Sequence, residues 1–179
     1  VIAILITIMV LELAQPEGAS LRDLLDQWPH VAIYGLSFVG LGIYWNNHHH
    51  LFHIVDKING RVLWANLHLL FWLSLVPFTT AWMGENDFAE VPTAFYGADL
   101  LLAAIAYFIL QTAIIAEEGP DSRLRAAIGR DLKGKVSPLL YLAAIPLAFV
   151  SPWIALAVYV LVALIWLVPD RRIESAVSE

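Results

Sequence analysis

The chain has no cysteine in its 179 residues. That excludes a disulfide framework and any thiolate-ligated metal centre. Charge is scarce too: Asp, Glu, Lys and Arg make up 15% of the chain, against about a quarter in a typical soluble domain. There is no Gly-rich phosphate loop, no nucleophile beside a base and no zincin pattern, so an enzyme reading has no anchor. Nothing calls for a cofactor or a nucleic-acid partner. The first apolar run lacks a basic flank and a small-residue cleavage site, so it does not read as a cleavable signal peptide.

What the chain does have is apolar surface. Hydrophobic residues are 60%, mean hydropathy is +0.72, and there are seven Trp. The charges sit in short stretches between long apolar runs, the pattern of a polytopic helical membrane protein. The net charge of −6 therefore describes the loops. A spanning helix needs about 20 mostly apolar residues. Six candidates appear, at about 1–14, 28–52, 58–83, 92–116, 136–150 and 152–168. The first is short and covers only about 20 Å of a roughly 30 Å hydrocarbon core. The last two form a hairpin broken at Ser151-Pro152, since proline fits the first turn of a helix, where its missing N–H does no harm. Long, uniformly apolar runs disfavour buried strands. Residues 1–179 thus read as one all-α integral membrane domain.

The basic residues orient it. Nine of the ten Lys and Arg fall on one side: Lys57 and Arg61, then Arg123, Arg125, Arg130, Lys133 and Lys135, then Arg171 and Arg172. Only Arg22 falls on the other. The positive-inside rule places both termini in the cytoplasm and requires an even number of spans, which counts the short first segment in. Glu17, Asp23, Asp26, Glu85, Asp87 and Glu90 then lie outside, with Glu12 near the outer end of the first helix. They either concentrate cations there or reflect only the avoidance of basic residues in external loops.

Polar groups at membrane depth usually face the bundle interior and have partners. Asn66, His68 and Asp99 are such groups, as is the run "IYWNNHHHLFH" that closes the second span. His49 and His53, four apart, share a helical face, but no second ligand pair or carboxylate accompanies them as a metal site would require. His50 and His53 read best as snorkelling to the interface. Trp45 and His48, three apart, suit a structural polar network. Ser37, Gly40 and Gly42 allow close helix approach.

Three blocks in order, "VIAILITIMVLEL", "YGLSFVGLGIYWNNHHHLF" and "LWANLHLLFWLSLVPFTTAW", resemble the bacterial relatives of the animal endolysosomal potassium channel called transmembrane protein 175. The resemblance covers most of the chain. It implies a six-helix subunit in a homotetramer, in a bacterial inner membrane, with the first helix lining a cation pore that favours potassium. No "TVGYG" filter is present. In that family a Phe-Ser-Asp motif, usually preceded by Arg, begins the first helix and bonds to Trp and His near the end of the second. Here those positions match Trp45 and His48, and Asn66 could join at similar depth. The motif itself is absent, which makes Val1 an expected helix interior.

The family's narrow hydrophobic constriction falls on Ile4, with further apolar layers at Ile8 and Leu11. At about 100° per residue, Thr7, Ile8 and Leu11 lie within about 60° of Ile4 on one face, and Glu12 sits at its edge, toward the outer mouth. Four isoleucines would gate by dewetting. Thr7 would add four hydroxyls that replace part of the hydration shell of a passing potassium ion, with only moderate selectivity. An ordinary packed helix looks similar, with Thr7 bonded back to the Ala3 carbonyl. Two other readings remain at this point. One is a proton-coupled secondary transporter using Asp99, Glu12 and the histidines, though no inverted repeat is visible. The other is a small membrane enzyme or haem protein.

Overall fold

Helix is the local answer to an apolar chain that must satisfy its own backbone groups. The computed structural model describes residues 1–13, 15–16, 18–53, 55, 58–119, 124–125 and 132–167. Seven α-helices and no strand occur among them: α1 Ile2–Ile8, α2 Leu21–Asp26, α3 Trp28–His53, α4 Gly60–Glu85, α5 Glu90–Glu118, α6 Leu132–Ala148 and α7 Pro152–Leu167. Glu17, Lys57, Arg123, Arg130, Arg171 and Arg172, used above to orient the chain, lie outside the described residues.

Several boundaries differ from the sequence reading, each for a local reason. The first helix tightens into a 3-10 turn at Met9–Glu12 and ends at extended Leu13, short of the expected 14. α2 was not anticipated. Its signal is the Ser20-x-x-Asp23 capping box: Ser20 Oγ accepts from the Asp23 N–H, and Asp23 Oδ2 accepts from the Ser20 N–H at 2.8 Å. The Ser20 hydroxyl, then its backbone N–H, hold the Asp23 carboxyl below the usual carboxylate range. A depressed value means the cap is complete above that range and is lost as pH falls through it. α4 begins at Gly60 because Asn59 caps it, accepting from the Val62 N–H at 3.0 Å. The other side of the Asn59 amide donates to the Glu117 carboxylate, which ties the start of α4 to the end of α5. α6 starts at Leu132 rather than 136.

α4 packs along α5, α5 against α6, and α6 against α7, with α3 lying across α4 and α7. Small residues make the α6–α7 approach close: Ala144, Ala148 and Ala155 are fully buried. α1 rests against α3 and α4 and joins one of two apolar clusters, with Leu41, Leu69, Leu73 and Leu110. The second cluster, around Tyr96, Tyr141 and Tyr159, belongs to the far side of the bundle. Large apolar side chains are exposed along every long helix, as a lipid-facing surface requires. By length and hydropathy alone, α4 and α5 are each sufficient to cross a bilayer among the described residues, whereas α1 and α7 are apolar but shorter. The histidine and asparagine run lowers the hydropathy of α3.

Gly97 fixes the distance between α5 and α7. A Cβ there would run into the hydroxyl end of Tyr159, which is buried and donates to the Thr93 carbonyl at 3.0 Å. Gly97→Ala must displace that ring or break its bond. The expected cost is about 1–3 kcal/mol, read as a lowered midpoint in tryptophan-monitored thermal unfolding of the detergent-solubilised protein. An unchanged midpoint would show that α5 and α7 separate freely here.

Candidate functional site

The two faces of α1 differ. Ile2, Leu5 and Met9, spaced three and four apart, are buried against α3 and α4. The opposite face carries Ile4, Thr7, Ile8 and Leu11, all exposed in the single subunit, with Ile4 60% and Leu11 78% accessible. The structure therefore brings these four residues together on one uncovered surface. The Glu12 side chain lies outside the described residues.

Thr7 Oγ1 donates to the Ile4 carbonyl at 2.7 Å, not to that of Ala3. Exposed hydroxyls elsewhere do the same: Ser74 bonds the Phe71 carbonyl at 2.6 Å and Thr112 that of Phe108 at 2.8 Å. The bond follows from a hydroxyl on an apolar face. It commits the single proton inward and leaves the oxygen lone pairs outward.

Behind α1 stands a polar pair that joins α3 to α4. His48 Nε2 donates to Asn66 Oδ1 at 2.7 Å. The His48 ring also packs on Phe52, with centroids 4.7 Å apart. Trp45 points elsewhere: its ring is half exposed and stacks on His49 at 5.9 Å. So of the three residues read as a network, two meet in a bond and the third takes a ring contact on its own helix. His49 in turn stacks on His53 at 6.1 Å. Among the described residues no group of three or more His, Asp or Glu is arranged to hold a metal.

Three interior contacts between helices were invisible in the sequence. Ser37 of α3 touches Tyr96 of α5 at 2.9 Å and Thr80 of α4 at 2.8 Å, and Thr80 donates to the Val76 carbonyl at 2.6 Å. Thr79 donates to Asp99 Oδ2 at 3.2 Å; the other Asp99 oxygen has no partner among the described residues. Hydroxyls inside apolar runs were the available signal, but spacing along one helix does not say which helix supplies the partner.

An all-helical bundle with large apolar side chains exposed along every long helix has the surface of a helical membrane protein. The family model for the endosomal/lysosomal potassium channel TMEM175 matches residues 1–77. A potassium channel of Chryseobacterium sp. (strain P1-3) is 53% identical over the whole chain, which covers 93% of that protein. A potassium channel of Streptomyces collinus is 30% identical over 92% of this chain and 85% of its own length. The crystal structure of a lysosomal potassium-selective channel TMEM175 homologue from Chamaesiphon minutus superposes with a TM-score of 0.82 at 27% identity, covering 94% of this chain and 92% of that one. The chain belongs to the TMEM175 family of potassium channels. It is a membrane protein and not an enzyme.

The His48–Asn66 bond should be measurable by a double-mutant cycle. His48→Ala and Asn66→Ala are each expected to lower stability, with a coupling of about 0.6 kcal/mol, the usual size for a hydrogen bond between membrane helices. A coupling near zero in thermal unfolding would mean that the two groups find other partners.

Proposed function

We propose that four copies of this chain surround a potassium-favouring pore lined by α1, crossing a bacterial cell membrane with six spans per subunit and both termini cytoplasmic. The observation that carries this is the two-sidedness of α1: one edge locked into the bundle, the other apolar, hydroxyl-bearing and uncovered. One α1 per subunit cannot enclose a pore by itself, so a pore needs copies around an axis. The family relationship and the superposition on a potassium-selective channel support the reading. They do not favour the carrier, and the Asp99 carboxyl lies inside the bundle, away from the uncovered face.

In this arrangement Ile4 forms the narrowest ring and closes it to water when unoccupied. Ile8 and Leu11 add apolar layers toward the outer mouth near Glu12. Thr7 presents four oxygens with outward lone pairs, because each proton is committed to the Ile4 carbonyl. That polarity suits a cation. Four hydroxyls replace only part of a hydration shell, so potassium is preferred to sodium moderately. The ion is the permeant, not a resident cofactor.

Reconstitution into liposomes with flux recorded under a potassium gradient tests the function. Conduction should exceed carrier turnover and should not saturate. Ile4→Ala should raise conductance and weaken rejection of sodium, because the dewetted ring is gone. Unaltered permeation would place the narrowest point elsewhere. Thr7→Val keeps the shape and removes the oxygen. A lost bond to a neutral group is worth roughly 0.5–1.5 kcal/mol, and water compensates in part, so a several-fold loss of preference is expected. Wild-type reversal potentials in Thr7→Val, beside an altered Ile4 variant, would reject coordination and leave the pore standing.

A further inference from the structure

The surface between the first turns of α4 and the last turns of α5 opens as two adjoining hollows of about 750 and 350 Å3. They share Asn59, Arg61, Ile109 and Ala113 as walls. Ala65 and Ala113 make a shallow apolar floor, and Trp64 stands on the rim with 74% of its surface exposed. Arg61 is exposed at the mouth, where α4 begins. It makes no ion pair or hydrogen bond among the described residues. The acid lining the same opening, Glu117, is engaged by the Asn59 amide instead.

We propose that this groove binds an anionic phospholipid. Its parts match the parts of such a lipid. The free guanidinium offers a forked donor to a phosphate. Trp64 sits one turn deeper, at the level where amphipathic rings lie among headgroups. The apolar strip along Ala65, Ile109 and Ala113 follows the helices into the bilayer and receives an acyl chain. Basic openings between spanning helices are the usual seats of anionic headgroups. An inorganic phosphate would meet one arginine and an apolar wall, without the cradle of donors it needs. The inference rests on α4 and α5 spanning a bilayer and not on conduction.

Native mass spectrometry of the delipidated full chain, titrated with phosphatidylglycerol or phosphatidylcholine, tests it. Phosphatidylglycerol should bind more tightly. Arg61→Gln should weaken it about five-fold, the value of one basic contact at an anionic surface, and should leave phosphatidylcholine unchanged. Arg61→Lys should keep most of the affinity. Ala113→Phe, which fills the floor, should weaken both lipids. Phosphatidylglycerol binding that Arg61→Gln does not alter, or that inorganic phosphate displaces, overturns the proposal. So does a disulfide between copies of Trp64→Cys, in a chain with no other cysteine, since a second subunit would then cover the groove. The readout is lipid binding, so its failure leaves the pore reading intact, and a silent channel leaves this one intact.

Discussion

The contact on which the remainder depends is the buried edge of α1, where Ile2, Leu5 and Met9 enter the cluster formed by α3 and α4. Three side chains at helical spacing fix the rotation of α1 about its axis. That rotation alone decides that Ile4, Thr7, Ile8 and Leu11 face away from the subunit. A slip of one residue would turn the helix by about 100° and bring Thr7 toward the apolar cluster. The face proposed to line the pore is therefore set by packing on the opposite side.

Packing of that kind has limited strength in a bilayer. Lipid tails are as apolar as leucine, so helix association relies on close fit and on polar bonds. The frame behind α1 has both. His48 and Asn66 join α3 to α4, the Ser37, Thr80 and Tyr96 hydroxyls join α3, α4 and α5, and Tyr159 reaches from α7 to the Thr93 carbonyl. Pro77 interrupts α4 beside these groups, removing one backbone donor. Thr79 and Thr80 surround the break with hydroxyls, and Thr80 donates to the carbonyl just before it. The polar residues thus cluster where the backbone ladder is weakest, as expected where no water can substitute.

How much of this was legible follows from the reach of each signal. Hydropathy over about 20 residues is a property of one segment, so the long helices could be read directly. The extra turns of α4, α5 and α6 depended on capping and connections rather than hydropathy, and boundaries moved accordingly. α2 had a readable capping box, but a six-residue helix in a polar loop has no apolar periodicity to draw attention to it. At the site, the shared face of Ile4, Thr7, Ile8 and Leu11 is pure helical geometry and needed no structure. Thr7 bonds the Ile4 carbonyl rather than the Ala3 carbonyl of the ordinary-helix alternative, because carbonyls three and four back are both within reach of a threonine. His48 and Asn66 are eighteen residues apart, and their bond depends on how two helices cross. Only the resemblance hinted at it; Trp45, expected in the same polar network, stacks on His49 of its own helix instead.

The frame and α1 are held by different forces, and the difference has a consequence for conduction. Among the described residues no side-chain hydrogen bond joins α1 to another helix; its one side-chain bond stays within its own turn. Its side chains hold it by apolar contact, and its last turn is tightened to a 3-10 geometry. Dispersion contacts tolerate sliding better than hydrogen bonds do, because they lack direction. α1, on which the proposed constriction falls, thus lacks directional restraint from its neighbours, set against a frame pinned across α3, α4, α5 and α7. Low local stability is where moving parts are found. A small shift or rotation of α1 over Leu41, Leu69 and Leu73 would change the width of the proposed ring at Ile4 while leaving the polar frame unbroken.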